Sequence, residues 1–157
     1  MDEATRISLK DQFNSLLVRA IEGRRGGMAL MRVLEELDFY NSPASAKHHL
    51  NVPGGLVMHS LNVARAALEL CDKMPQFAKC NKGAVLTAAL LHDVCKAGQY
   101  IKKPDGSYRY EVRCSSCITS FPQSVIRAAF SSVSPNRSTS SRYSTWDCFC
   151  KASTNRG

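Results

Sequence analysis

A histidine joined directly to an aspartate, His92-Asp93, closes the apolar run Ala88-Ala89-Leu90-Leu91, and Lys96 follows four residues after the histidine. An imidazole and a carboxylate at the end of such a run are expected where water is scarce. Burying that pair is costly unless a cation satisfies it, and a divalent metal is the usual cation. A second histidine, His59, replaces an apolar residue in a helical stripe between Leu56 and Val63, so its imidazole is expected to face inward. Two helices that each send a histidine inward, one with a carboxylate attached, supply three ligands for a divalent ion. Lys96, on the His92 face of a continuing helix, suits a phosphate oxygen and not the metal. Phosphoester hydrolysis is the chemistry that follows. A bound ion lowers the pKa of its water from about 15.7 to about 7 and polarises a phosphoryl oxygen. Against this, a lone buried histidine is more often a hydrogen-bonded core residue, and His-Asp pairs arise by chance. Spacing alone leaves both open.

The elements that must position these residues read as helices. Apolar residues recur at helical spacing over 4–22 (Leu9, Phe13, Leu16, Leu17, Ala20) and over 28–37 (Leu30, Met31, Leu34, Leu37). Gly23 and Gly26-Gly27 separate the two, and Asn41-Ser42-Pro43 stops the second. A loop over 43–53 carries His48-His49. Gly54-Gly55 opens a third helix to about Lys73, with Leu56, His59, Val63, Ala66, Ala67 and Leu70 as its stripe. A fourth, about 83–96, is almost wholly apolar and is expected to cross the domain centre. Alternating residues on either side of Pro104-Asp105-Gly106 predict a β-hairpin over 100–112. The fold class is all-α: a helical bundle with one small hairpin.

At 157 residues the chain suits one domain with a real core. No run of 18 uncharged apolar residues is present and Met1-Asp2-Glu3 opens no secretory leader, so no membrane partner and a cytoplasmic location are expected. Seven cysteines, an odd count, read as thiols and not as a disulfide framework. The net charge of +8 divides evenly, +4 in residues 1–113 and +4 in 114–157, with no basic cluster interleaved with aromatics. A basic nucleic-acid-binding helical protein is therefore the weakest of the function classes.

Two stretches raise the metal reading. Gly54-Gly55-Leu56-Val57-Met58-His59-Ser60-Leu61-Asn62-Val63 and Leu90-Leu91-His92-Asp93-Val94-Cys95-Lys96 resemble, at matching spacing, the signatures of the HD-domain superfamily of metal-dependent phosphohydrolases. Phe39-Tyr40-Asn41-Ser42-Pro43-Ala44-Ser45, with His49 before Gly54, is similar to small stand-alone bacterial and phage HD proteins; HD domains attached to 3′-to-5′ exoribonucleases share much of it. The resemblance covers roughly residues 27–113. It implies His59, His92 and Asp93 as ligands of a divalent metal (Mn, Fe, Mg or Zn), with Asp93 and Lys96 catalytic. It places Lys96 at the substrate phosphate, gives His49 a place lining the pocket or packing the loop, and leaves Cys95 to packing. The substrate it implies is a nucleotide or nucleic-acid phosphoester.

The family pattern also has a later helical aspartate. After Lys96 the only carboxylates are Asp105, Glu111 and Asp147, none in a helical pattern. A degenerate HD domain that binds metal or nucleotide without turnover is thus the alternative. Beyond residue 113 the texture changes: 12 of 44 residues are serine, against six in the first 113. This stretch reads as a poorly ordered, Ser/Cys-rich atypical tail in which 121–130 could form one short helix, or as the product of a reading-frame slip between about Arg113 and Ser131. Cys114, Cys117, Cys148 and Cys150 could in number bind zinc, but no ribbon or finger pattern joins them.

Overall fold

The structure, a computed structural model, describes residues 1–23 and 26–111. The short helix over 121–130, the four late cysteines, the tail over 114–157 and Arg24-Arg25 lie outside the described residues. Four α-helices precede a two-stranded antiparallel hairpin. They are α1 (Glu3–Ala20), α2 (Gly27–Glu36), α3 (Gly55–Lys73) and α4 (Lys82–Leu91). The strands are β1 (Tyr100–Lys102) and β2 (Tyr108–Tyr110). Single 3-10 turns lie at Pro75–Phe77 and Val94–Lys96. The fold is therefore the all-α bundle with a small hairpin that the hydrophobic periodicity implies.

Local chemistry sets the helix ends. Asp2 caps α1 by accepting from the Thr5 amide at 2.7 Å, and Asn81 caps α4 by accepting from Ala84 at 3.0 Å. Ahead of α3, Gly54 takes a φ of +80°, which an L side chain rarely adopts. The hairpin register pairs Tyr100 with Tyr110 and Lys102 with Tyr108 around the Asp-Gly turn.

Among the described residues the core is one cluster. Leu9, Phe13, Leu17 and Ala20 of α1 meet Leu30 and Leu34 of α2, Leu56, Leu61 and Ala64 of α3, and Leu86, Leu90 and Leu91 of α4. Phe13 and Phe39 are fully buried with ring centroids 5.0 Å apart, and Tyr40 meets both edge-on. The Tyr40 hydroxyl donates to Asn14 Oδ1 at 2.7 Å, so its burial leaves no polar atom stranded. α4 packs chiefly on α3 and also on α1, and so crosses the centre as its composition requires.

Two expectations need correction. The buried face of α3 is Leu56, Val57, Ser60, Leu61, Ala64 and Cys71, about one residue round from the anticipated stripe. Leu70 is half exposed and His59 borders the core without entering it. Val57 and Leu61 carry the same apolar pattern, so sequence alone could not choose between two overlapping faces. The fourth helix stops at Leu91, not near Lys96. The Ala89 carbonyl, one of the last in α4, accepts from His92 Nδ1 at 2.8 Å. A side chain thus takes a helix-end acceptor, and Asp93 leaves helical geometry (φ −108°, ψ 13°).

Segment 38–44 ties the two halves of the site together. Ser42 Oγ donates to the Asp38 carbonyl at 2.9 Å and accepts from the Gly98 amide at 3.4 Å. The carbonyls of Asn41 and Ser42 accept from the amides of Gly54 and Leu56. The start of α3 and the chain after Lys96 therefore hang from one short segment.

Candidate metal centre

His59 reaches the site from the second turn of α3, and His92-Asp93 from the turn that ends α4. His92 Nε2 lies 3.3 Å from His59 Nε2. Asp93 Oδ2 lies 3.3 Å from each of these nitrogens. Three donor atoms, one from α3 and two from the turn after α4, thus stand at the corners of a nearly equal-sided triangle. Tetrahedral bonds of about 2.0–2.1 Å put neighbouring donors about 3.3 Å apart. The observed spacing fits, and the set of two imidazoles and one carboxylate is one a divalent ion takes. His92 Nδ1–H is committed to the Ala89 carbonyl, so in the neutral imidazole the Nε2 lone pair faces Asp93 and His59. Converging lone pairs and a carboxylate can ligate a divalent cation.

The mouth is wetter than the apolar run suggests. Side-chain exposure is 24% for His59, 33% for His92 and 16% for Asp93. The pair stands where a solute can reach it, because the helix ends one residue before it. Lys96 sits on the 3-10 turn, not on a continuing helix face, and its Nζ donates to Asp93 Oδ2 at 2.8 Å. His49 is exposed on its loop, its ring centroid 5.5 Å from that of His59, which is 5.2 Å from that of His92. All five residues singled out from the sequence are therefore brought to one mouth, His49 at its rim. Cys95 is half-buried beside them.

Electrostatics differ at each corner. Burial works against the charge on Asp93, but hydrogen bonds from His92 and Lys96 outweigh it and hold its carboxyl far below the ordinary range. His92 is raised above 6.5, chiefly by its hydrogen bond with Asp93. His59 is lowered, first by burial, against the pull of Asp93 and with the push of His92, Lys96 and His49. These shifts favour the neutral, ligating form of His59 and the protonated form of His92. We expect metal affinity to weaken as pH falls through the raised His92 value, by about tenfold per unit for one displaced proton. Affinity measured by calorimetry that stays constant between pH 6 and 8 would remove His92 from the ligand set.

Two contributors escape sequence reasoning. The Ala89 carbonyl that orients His92 is backbone, and no residue type announces it. Tyr100, at the start of β1, is half-buried, its phenol raised by burial, then by Tyr110, Asp93 and Cys95. It follows Asp93 by seven residues with no continuous helix or strand between them, so no spacing rule singles it out. An open groove of about 500 Å³ between α1 and α2, lined by Val18, Ile21, Met28 and Met31 among others, includes none of the candidate residues.

Over 69 residues the chain is 35% identical to dihydroneopterin 2',3'-cyclic phosphate phosphodiesterase of Methanocaldococcus jannaschii. That alignment covers 43% of this chain and 28% of the relative, so the match spans under a third of that enzyme's length. No solved structure matches the chain. Among the described residues, no helix is long and apolar enough to cross a membrane. Residues 56–113, which hold His59, His92, Asp93 and Lys96, match the HD domain family.

Proposed function

We propose that this protein is a metal-dependent phosphohydrolase acting on a nucleotide or nucleic-acid phosphoester. The observation that carries the reading is the 3.3 Å triangle of His59 Nε2, His92 Nε2 and Asp93 Oδ2, open to solvent, with an ammonium at its edge. His59, His92 and Asp93 would hold the ion. When bound, a divalent ion supplies a water acidified toward a pKa of about 7 and a Lewis acid for a phosphoryl oxygen. Everything else falls to the chain. Asp93, kept ionised, offsets the ion's charge, and the Ala89 carbonyl keeps the His92 lone pair aimed. Lys96 offers a flexible ammonium for a non-bridging phosphate oxygen. His49, at the rim, contacts the part of the substrate that extends out of the mouth. The cyclic-phosphate substrate of the M. jannaschii relative makes a 2',3'-cyclic phosphodiester the first class to test.

Elemental analysis of the purified full chain, followed by assay on 2',3'-cyclic nucleotides and bis(p-nitrophenyl) phosphate, tests this. One divalent ion per chain is expected, with hydrolysis that a chelator removes and the ion restores. No bound ion, together with rates equal to buffer alone, would end the reading. One observation favours binding without turnover: among the described residues the donor cluster has three members, with one carboxylate and no fourth donor. In that case calorimetry registers metal and nucleotide while no product forms.

A further inference from the structure

We infer that Lys96 is an internal competitor for the metal, its ammonium holding the Asp93 oxygen that faces both imidazoles. An ion that takes this oxygen releases the ammonium toward the phosphoester, so that metal and phosphate bind cooperatively. This rests on the ligand assignment above. Three groups converge on one atom: His59 Nε2 and His92 Nε2 at 3.3 Å, and Lys96 Nζ at 2.8 Å, all on Asp93 Oδ2. A divalent ion and an ammonium cannot share that oxygen without strong like-charge repulsion. The ammonium is the partner able to leave. It sits on a four-carbon stem, its side chain is 35% exposed, and Asp93 is its ion-pair partner within the site.

Once displaced, the ammonium remains at the mouth because its backbone is pinned. The Ala97 amide donates to Val94, the Gln99 amide to Lys96, and the Gly98 amide to Ser42 Oγ. A tetrahedral oxyanion is the chemistry that then captures it, through charge-assisted hydrogen bonds. Linkage makes the effect mutual: an oxyanion that draws Lys96 off Asp93 tightens the ion by the factor that the ion tightens the oxyanion.

The test is calorimetric titration of the full chain with Mn²⁺, with and without sulfate as the oxyanion, in native protein, Lys96→Met and Lys96→Gln. Without sulfate, both variants are expected to bind Mn²⁺ on the order of fivefold more tightly than native, the scale of one partly exposed ion pair. Sulfate is expected to tighten Mn²⁺ binding in native protein and to leave both variants unchanged. Lys103→Met, an exposed hairpin residue, controls for net charge and should match native. The inference is overturned if the Lys96 variants bind no more tightly than native, if sulfate tightens all forms alike, or if Lys103→Met tightens as much. His92→Ala separates the two levels. If it abolishes binding while the Lys96 variants behave as native, only the competition fails; if it binds Mn²⁺ like native, the ligand assignment and the competition fall together.

Discussion

Asp93→Ala should strip the protein of its ion and lower phosphodiester hydrolysis by a hundredfold or more. The size follows from the carboxylate's place in the cluster. Loss of a residue that merely orients a ligand costs about 10–100-fold in affinity or activity, and Asp93 is itself a corner of the triangle. Its removal also withdraws the sole negative charge among two imidazoles and an ammonium, leaving cationic groups to repel the ion. His92 loses the hydrogen bond that raises it, so its proton departs more readily, but that gain cannot replace a ligand. Asp93→Asn keeps the volume and removes the charge, and should fall nearly as far. Metal content by elemental analysis and turnover of a cyclic nucleotide provide the readouts. Native metal stoichiometry with native turnover in Asp93→Ala would dismantle the catalytic reading.

Gly55→Ala should destabilise the protein more than the same change at Gly27 or Gly83, where a new methyl meets a movable side chain or looser contacts. Gly55 lies in the first turn of α3 and is buried. A Cβ there would stand 2.1 Å from the Leu50 carbonyl oxygen and 3.1 Å from the Ala44 amide nitrogen. Both are backbone atoms of the loop that carries His49, and neither can rotate aside. That loop is itself tightly wound, with Leu50 at a φ of +56° and its carbonyl accepting from the Ala44 amide. Overpacking usually costs 1–3 kcal/mol, and a rigid obstacle puts this case at about 3 kcal/mol or more. For a chain of this size that lowers Tm by roughly 6–12 °C. A melt within about 2 °C of native would show that the loop gives way freely. Since the same loop holds the rim of the mouth, oxyanion binding should weaken along with stability.

Much of this was readable in the residues themselves. Leu9, Phe13 and Leu17 recur at a spacing that only a helix buries on one face, and the structure buries them. The Asp-Gly turn between alternating arms forms the hairpin. His59, His92 and Asp93, separated by 33 residues of chain, do meet. Boundaries and depth were less legible, for identifiable reasons. α4 ends early because an imidazole competes for a backbone carbonyl, which no periodicity encodes. Lys96 meets Asp93 from a 3-10 turn, where the three-residue offset, not the four-residue one, sets the neighbour. α3 offers two overlapping apolar faces, and only the arrival of α4 selects one.

The shallowness of the site bears on which element it would carry. No donor is sealed from water, and the carboxylate already has a mobile cation at hand. Ions should therefore enter and depart without local unfolding. With three mixed nitrogen and oxygen donors and no thiolate, the protein has little means of choosing among first-row metals beyond their intrinsic order of affinity. Occupancy would then follow supply: the resident species would reflect what the surroundings make abundant, and dialysis alone should exchange it.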